Sequence, residues 1–208
     1  MEFTGSSRTL LVVKGSLPFD NQIWPGNPHA MFMSTHPDLL LVHDFFPDHA
    51  PLYETLLSTV AWDTSMAARQ TASFGAPYNY SQMRYLATAM HPALLPVVTA
   101  LCQRLQIRFN NCLLNYYASG ENSMGFHADD TAGLQPGTGV AIVSLGNARD
   151  ITFRSVIDHA IRHAYALAPG SLLYMNAAVQ DAWQHAIARQ PHAGPRISLT
   201  WRAVVEVP

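Results

Sequence analysis

A few residues carry most of the chemistry this sequence offers. In "GFHADD" (125–130), His127 and Asp129 stand two positions apart. On a strand, that spacing turns an imidazole and a carboxylate to one face, with Asp130 facing the other way. Such an H-x-D unit can take two coordination positions of a divalent metal. A third ligand is available in His185, within "DAWQHAI". Two histidines and one carboxylate make a facial triad with open positions, suited to Fe(II) oxygen chemistry. Zinc can use the same ligands, but its catalytic sites keep one position open.

The second concentration of chemistry lies in "RISLTWR". Arg196, Ser198, Thr200 and Arg202 share one strand face by their even spacing. Two arginines turned inward are costly unless they meet anions. The pair, separated by two hydroxyl residues, reads as a grip on a dicarboxylate. Asn115 and Tyr117, in "LLNYYA", are another polar pair on one face of an otherwise apolar strand. The other histidines (His29, His36, His43, His49, His91, His159, His163 and His192) sit in loop-like contexts or beside prolines and aspartates. They read as surface or capping residues.

These residues need a scaffold. The 208 residues suit one domain, or one domain with an N-terminal extension, and 49% hydrophobic residues supply a core. Charged residues are only 12%, the formal net charge is -2, and Lys14 is the single lysine. That balance lacks the basic excess of a domain that grips nucleic acid through its charge. Cys102 and Cys112 form no framework and read as buried reduced thiols. No leader-like segment stands at the N-terminus, and no apolar run approaches the roughly 20 residues of a membrane span. We therefore expect a soluble cytoplasmic monomer.

Residues 1–37, rich in Gly, Pro, Ser and Asn, read as an irregular N-terminal arm. "DLLLVHDFF" (38–46) is β-compatible. Helical spacing follows over 47–62 and again over 91–106, and 69–85 reads as extended structure broken at Gly75-Ala76-Pro77. Short apolar runs at 109–118, 139–146, 150–154, 164–175 and 196–207 then read as strands. Helices followed by many short strands predict an α+β domain over 38–208, with helices packed on a β-sandwich or jelly roll.

The order N-x-Y, H-x-D, a distal W-Q-H and R-x-x-x-T-x-R resembles the AlkB family of Fe(II)- and 2-oxoglutarate-dependent dioxygenases. The resemblance covers roughly 38–207 and is closest to the DNA- and RNA-repair branch. "FGAPYNYS", "LLNYYASGENSMGFHADD", "APGSLLYMNAAVQDAWQHAI" and "PRISLTWR" all look like its segments. It implies a double-stranded β-helix. It also implies Fe(II) on His127, Asp129 and His185, and 2-oxoglutarate in a pocket lined by Asn115, Tyr117, Arg196, Thr200 and Arg202. Arg196 would pair with the distal carboxylate. Dioxygen would be consumed, with succinate, CO2 and formaldehyde released as an N-methyl group is removed from a base such as 1-methyladenine or 3-methylcytosine in DNA or RNA.

For the substrate, the resemblance implies a lid carrying Tyr78 and Tyr80, whose rings stack on an extruded base. It also implies a nucleic-acid contact from Arg69, and a reading of the base's exocyclic amine by Asp130. One position departs from the branch: Thr131 stands where it places a glutamate. That change and the negative net charge leave a second expectation beside the first. It is an AlkB-like oxygenase acting on a small molecule, such as a modified nucleoside or an amine.

Overall fold

The computed structural model describes residues 10–13, 35–80 and 83–205. In chain order the first elements are β1 (Leu10–Val13), β2 (Leu39–Val42), α1 (His49–Thr59), β3 (Gln70–Gly75), β4 (Tyr78–Tyr80), β5 (Met83–Tyr85) and α2 (Leu95–Leu105). Then come β6 (Asn111–Tyr117), β7 (Met124–His127), β8 (Val140–Gly146), β9 (Arg149–Ser155), β10 (Arg162–Leu167) and β11 (Leu172–Met175). α3 (Ala177–Ala182), β12 (Trp183–Ile187) and β13 (Arg196–Arg202) complete the order.

Two antiparallel sheets carry the molecule. The larger runs β1-β2-β11-β8-β13-β6-β3, the smaller β10-β9-β12-β7, and β4 and β5 form a separate hairpin. Strand alternation explains how the larger sheet serves two cores. From β13, Ile197, Leu199 and Trp201 point to one side, as do Ala141, Val143 and Leu145 from β8. Leu52 and Leu56 of α1 and Val97 and Leu101 of α2 pack against that side. On the opposite side, Tyr117, Val140 and Ile142 meet Ile151, Phe153 and Trp183 of the smaller sheet. The helices thus lie on the outer face of a sandwich, as the α+β jelly-roll reading expects. Arg196, Ser198, Thr200 and Arg202 fall in phase with the inter-sheet side, and all four are buried.

The helices follow from local sequence. Prolines occupy the first turn of the 92–94 helical turn and of α2, where a missing N–H costs nothing. His91 caps the former by accepting from the Ala93 N–H at 3.2 Å, the capping role expected for such a histidine. The outer side of α1 carries Thr55, Ser58 and Thr59, whose hydroxyls return to carbonyls four residues back.

The structure departs from the sequence reading in four places. Leu10–Val13, inside the expected irregular arm, pairs antiparallel with β2; the rest of 1–34 lies outside the described residues. The apolar cluster "LLVV" suits an edge strand, and the Gly- and Pro-rich stretch after it obscured that signal. The run 164–175 is two strands in different sheets, divided at a turn where Gly170 takes φ +76°. α3 was not expected: Asn176 caps it by accepting from the Val179 N–H. Finally, β7 ends at His127, so Asp129 lies beyond the strand.

Candidate metal and anion site

The cavity between the sheets is lined from six strands and the segment after β7. His127 closes β7 and His185 lies directly opposite it on β12. Their rings stand 4.3 Å apart between centroids. Asp129 reaches the same point, and one ligand atom from each of the three lies within 4.8 Å of the others. Asp129 gets there by anchoring rather than by strand alternation. Its backbone N–H donates to Gln180 Oε1 at 2.9 Å, and the Arg202 guanidinium donates to its carboxylate.

Protonation suits a metal. The His127 Nδ1–H donates to the Gly125 carbonyl at 2.9 Å, because a carbonyl can only accept. That leaves the Nε2 lone pair for the site. Burial lowers the pKa of His127, and burial pushes His185 down to about 4. Both rings are therefore neutral at pH 7. Burial raises the Asp129 carboxyl, but Arg202 and the two histidines outweigh it and hold the group below its usual range. Two neutral imidazoles and a carboxylate form the donor set that a divalent iron takes. The Nδ1 of His185 is buried without a hydrogen-bond partner.

A register shift places one further side chain. Between β7 and β12, His127 faces His185 while Met124 faces Ile187. Gly125 and Phe126 thus oppose Ala186 alone, a β-bulge. Met124 and His127 consequently both line the cavity.

Beside these three residues lies a strongly positive wall. Among the described residues Arg69, Arg149, Arg196 and Arg202 are all buried, against the single buried carboxylate of Asp129. The four cations have different partners. Arg149 is spent on carbonyls: it donates to Ser119, Asn122 and Ala188, and to Gln190 Oε1. It staples two loops. Arg69 donates to Asn115 Oδ1 at 2.7 Å. Arg202 holds Asp129, and Tyr78 lies under its guanidinium at 4.2 Å. Arg196 has few partners. Its Nη2 donates to Ser144 Oγ at 2.9 Å, while Nε and Nη1 are buried with no partner. Burial lowers its pKa to about 10, so it stays charged at neutral pH. Tyr117 is close by, with its ring centroid 5.5 Å from the Arg196 guanidinium carbon. A buried, charged fork with two free donors fits a carboxylate.

The expected residues fall into two groups. His127, Asp129, His185, Asn115, Tyr117, Arg196, Thr200 and Arg202 all line this one cavity. Of the residues expected to meet substrate, Arg69, Tyr78 and Asp130 do not line this cavity. Arg69 is 7% exposed and is turned to Asn115 instead of outward. Tyr78 is equally buried, with Arg202 against its ring. Tyr80 lies on β4, but its side chain falls outside the described residues. Asp130 is exposed and accepts from the Ala132 N–H at 2.9 Å, closing a turn. Sequence reasoning missed Arg149, Ser144, Gln180 and Met124. The alternation Arg149-Ile151-Phe153 could have flagged the first as inward. No sequence signal marks Gln180.

Comparison with known proteins agrees with this geometry. Residues 48–202 match the family model described as the 2OG-Fe(II) oxygenase superfamily. The chain is 29% identical over 180 residues to alpha-ketoglutarate-dependent dioxygenase alkB homolog 3 of Mus musculus, covering 76% of this chain and 62% of that protein. It is 32% identical over 139 residues to DNA oxidative demethylase ALKBH2 of Mus musculus, covering 63% and 58%. It thus spans about three fifths of the length of these curated relatives. The solved structure of OsALKBH1 matches with a TM-score of 0.58 at 16% identity, over 81% of this chain and 97% of that one, which shows the fold. With the family model spanning most of its length and the metal and anion groups in one cavity, the chain belongs to the 2OG-Fe(II) oxygenase superfamily.

Proposed function

We propose that this chain is an Fe(II)- and 2-oxoglutarate-dependent oxidative demethylase of N-alkylated nucleobases, of the 1-methyladenine and 3-methylcytosine type. One observation carries the chemistry. The metal-ready His127, Asp129 and His185 share a cavity with Arg196, whose Nε and Nη1 are buried and unpartnered. His127, Asp129 and His185 would hold the iron and leave three positions open. Arg196 would receive the distal carboxylate of 2-oxoglutarate. When bound with dioxygen, the two cofactors supply an oxidant able to hydroxylate an N-methyl group, with succinate and CO2 as by-products. The hydroxymethyl product then releases formaldehyde and the free amine.

The chain's own residues bind and position. Arg202 keeps Asp129 ionised and aimed. Arg69 occupies Asn115 Oδ1, which leaves the amide nitrogen to donate. Thr200 and Ser198 add hydroxyls to the same wall, 3.5 Å apart. The apolar lining of Leu113, Ile142, Ile151 and Ile187 excludes water from the reacting atoms. We assign residues 38–208 as the catalytic unit, with Leu10–Val13 of the 1–37 arm adding an edge strand to its larger sheet. The nucleobase substrate rests on the relatives' names, one of them a DNA oxidative demethylase.

One observation favours the small-molecule alternative. Among the described residues four arginines and one aspartate are buried. The described outer side chains are then Arg104, Arg108, Arg154, Arg162 and Arg189 against ten acids, a balance of 5 − 10 = −5. Phosphate contacts dominate nucleic-acid affinity, so this exterior offers little to a duplex. Formaldehyde and succinate assays across methylated single strands, duplexes and free nucleosides separate the readings. Formaldehyde from oligonucleotides supports the first reading. Formaldehyde from nucleosides alone replaces it with the second.

A further inference from the structure

The β-bulge in β7 brings a thioether into the cavity that holds the metal-ready residues. Met124 lines this cavity together with His127, Asp129 and His185. Its sulfur is held in place: the Tyr117 hydroxyl donates to Sδ at 3.8 Å. Tyr117 is itself locked, 1% exposed and flanked by the guanidinium groups of Arg149 and Arg196. The other apolar groups lining the cavity are Leu113, Ile142, Ile151 and Ile187, which present only aliphatic C–H bonds. A thioether is oxidised far more readily than any of them.

The geometry points to Met124 as a site of self-oxidation, converted to methionine sulfoxide when the enzyme turns over 2-oxoglutarate with no substrate in place. The inference rests on the proposed oxygenase reading. The balance is complete. Dioxygen gives one oxygen atom to the new carboxylate of succinate and the other to Met124 Sδ. 2-Oxoglutarate loses CO2 and supplies two electrons, the thioether supplies the other two, and one S=O bond forms. No proton or further reductant is needed. The sulfoxide oxygen is an acceptor for the Tyr117 hydroxyl already aimed at this sulfur.

The test uses the full chain loaded with Fe(II), incubated with 2-oxoglutarate under labelled dioxygen and no substrate. Peptide mass spectrometry follows all eight methionines, and succinate is measured in parallel. The expected result is addition of one labelled oxygen at Met124. It should exceed oxidation of any other methionine at least tenfold, and be absent without 2-oxoglutarate. Treatment with both methionine sulfoxide reductases should remove it, because a sulfoxide is reducible and a hydroxylated carbon is not. Met124→Leu, which conserves volume, should lack the label while keeping the wild-type melting curve. Succinate formed with Met124 unmodified, or label that is spread evenly, resistant to the reductases or independent of 2-oxoglutarate, overturns the inference and leaves the oxygenase reading intact. No succinate at all overturns both.

Discussion

Arg196→Met tests the anion site most directly, because it should weaken ligand binding without weakening the fold. Arg196 is 1% exposed, and two of its three nitrogens have no partner. Those two donors would carry the contact to 2-oxoglutarate. Losing a charge-assisted pair removes about 3 kcal/mol, or roughly a hundredfold in Kd. In the ligand-free protein the same change removes a buried cation with little compensation. Replacing such a group by an apolar one of similar volume is neutral or stabilising. A thermal melt therefore reads both halves. At a 2-oxoglutarate concentration of about 100 Kd, with metal, the wild type gains about 2.7 kcal/mol. At about 2–4 °C per kcal/mol for a chain of this size, that is a rise of roughly 5–11 °C. The variant at the same concentration sits near its own Kd and gains about 0.4 kcal/mol, or roughly 1–2 °C. Its ligand-free melting point should equal or exceed the wild type's. A wild-type ligand shift in the variant would refute the anion-site assignment. A large loss of ligand-free stability would refute the claim that Arg196 is under-compensated.

Asp129→Ala should abolish metal-dependent turnover and also strand Arg202 as a buried cation, costing about 3–5 kcal/mol in a urea melt. Adding Arg202→Met should restore most of that stability and none of the turnover. Gly75→Ala should lower stability by about 2 kcal/mol or more, read as a reduced urea midpoint. Gly75 takes φ +89°, and a Cβ there would lie 2.0 Å from the Asn110 carbonyl oxygen. Asp130→Ala should leave substrate-free succinate formation unchanged and reduce only formaldehyde release, measured in parallel. Equal loss of both would place Asp130 with the metal site instead.

Much of the site was legible because it follows a period. Arg196, Ser198, Thr200 and Arg202 announce a polar strand face by even spacing, as do Asn115 and Tyr117, and adjacent antiparallel strands bring both pairs into one wall. Helices α1 and α2 were legible from apolar spacing and from prolines at their starts. What escaped was aperiodic. Asp129 shares parity with His127 in sequence, yet its position comes from Gln180 on α3 and Arg202 on β13, partners far off in the chain. Met124 is out of phase with His127 and enters the cavity only through the bulge. Nothing local to Arg69 or Tyr78 shows that Asn115 and Arg202 are their partners.

The contact between Tyr78 and Arg202 joins two parts of the molecule that otherwise belong to different sheets. Tyr78 sits on the β4–β5 hairpin, and the guanidinium over its ring also holds the Asp129 carboxylate. Seating of the hairpin and affinity of the centre are therefore thermodynamically linked through one cation. Drawing Tyr78 away changes the field that Asp129 feels, and filling the centre changes how strongly Arg202 retains the ring. Linkage makes the two effects equal in free energy.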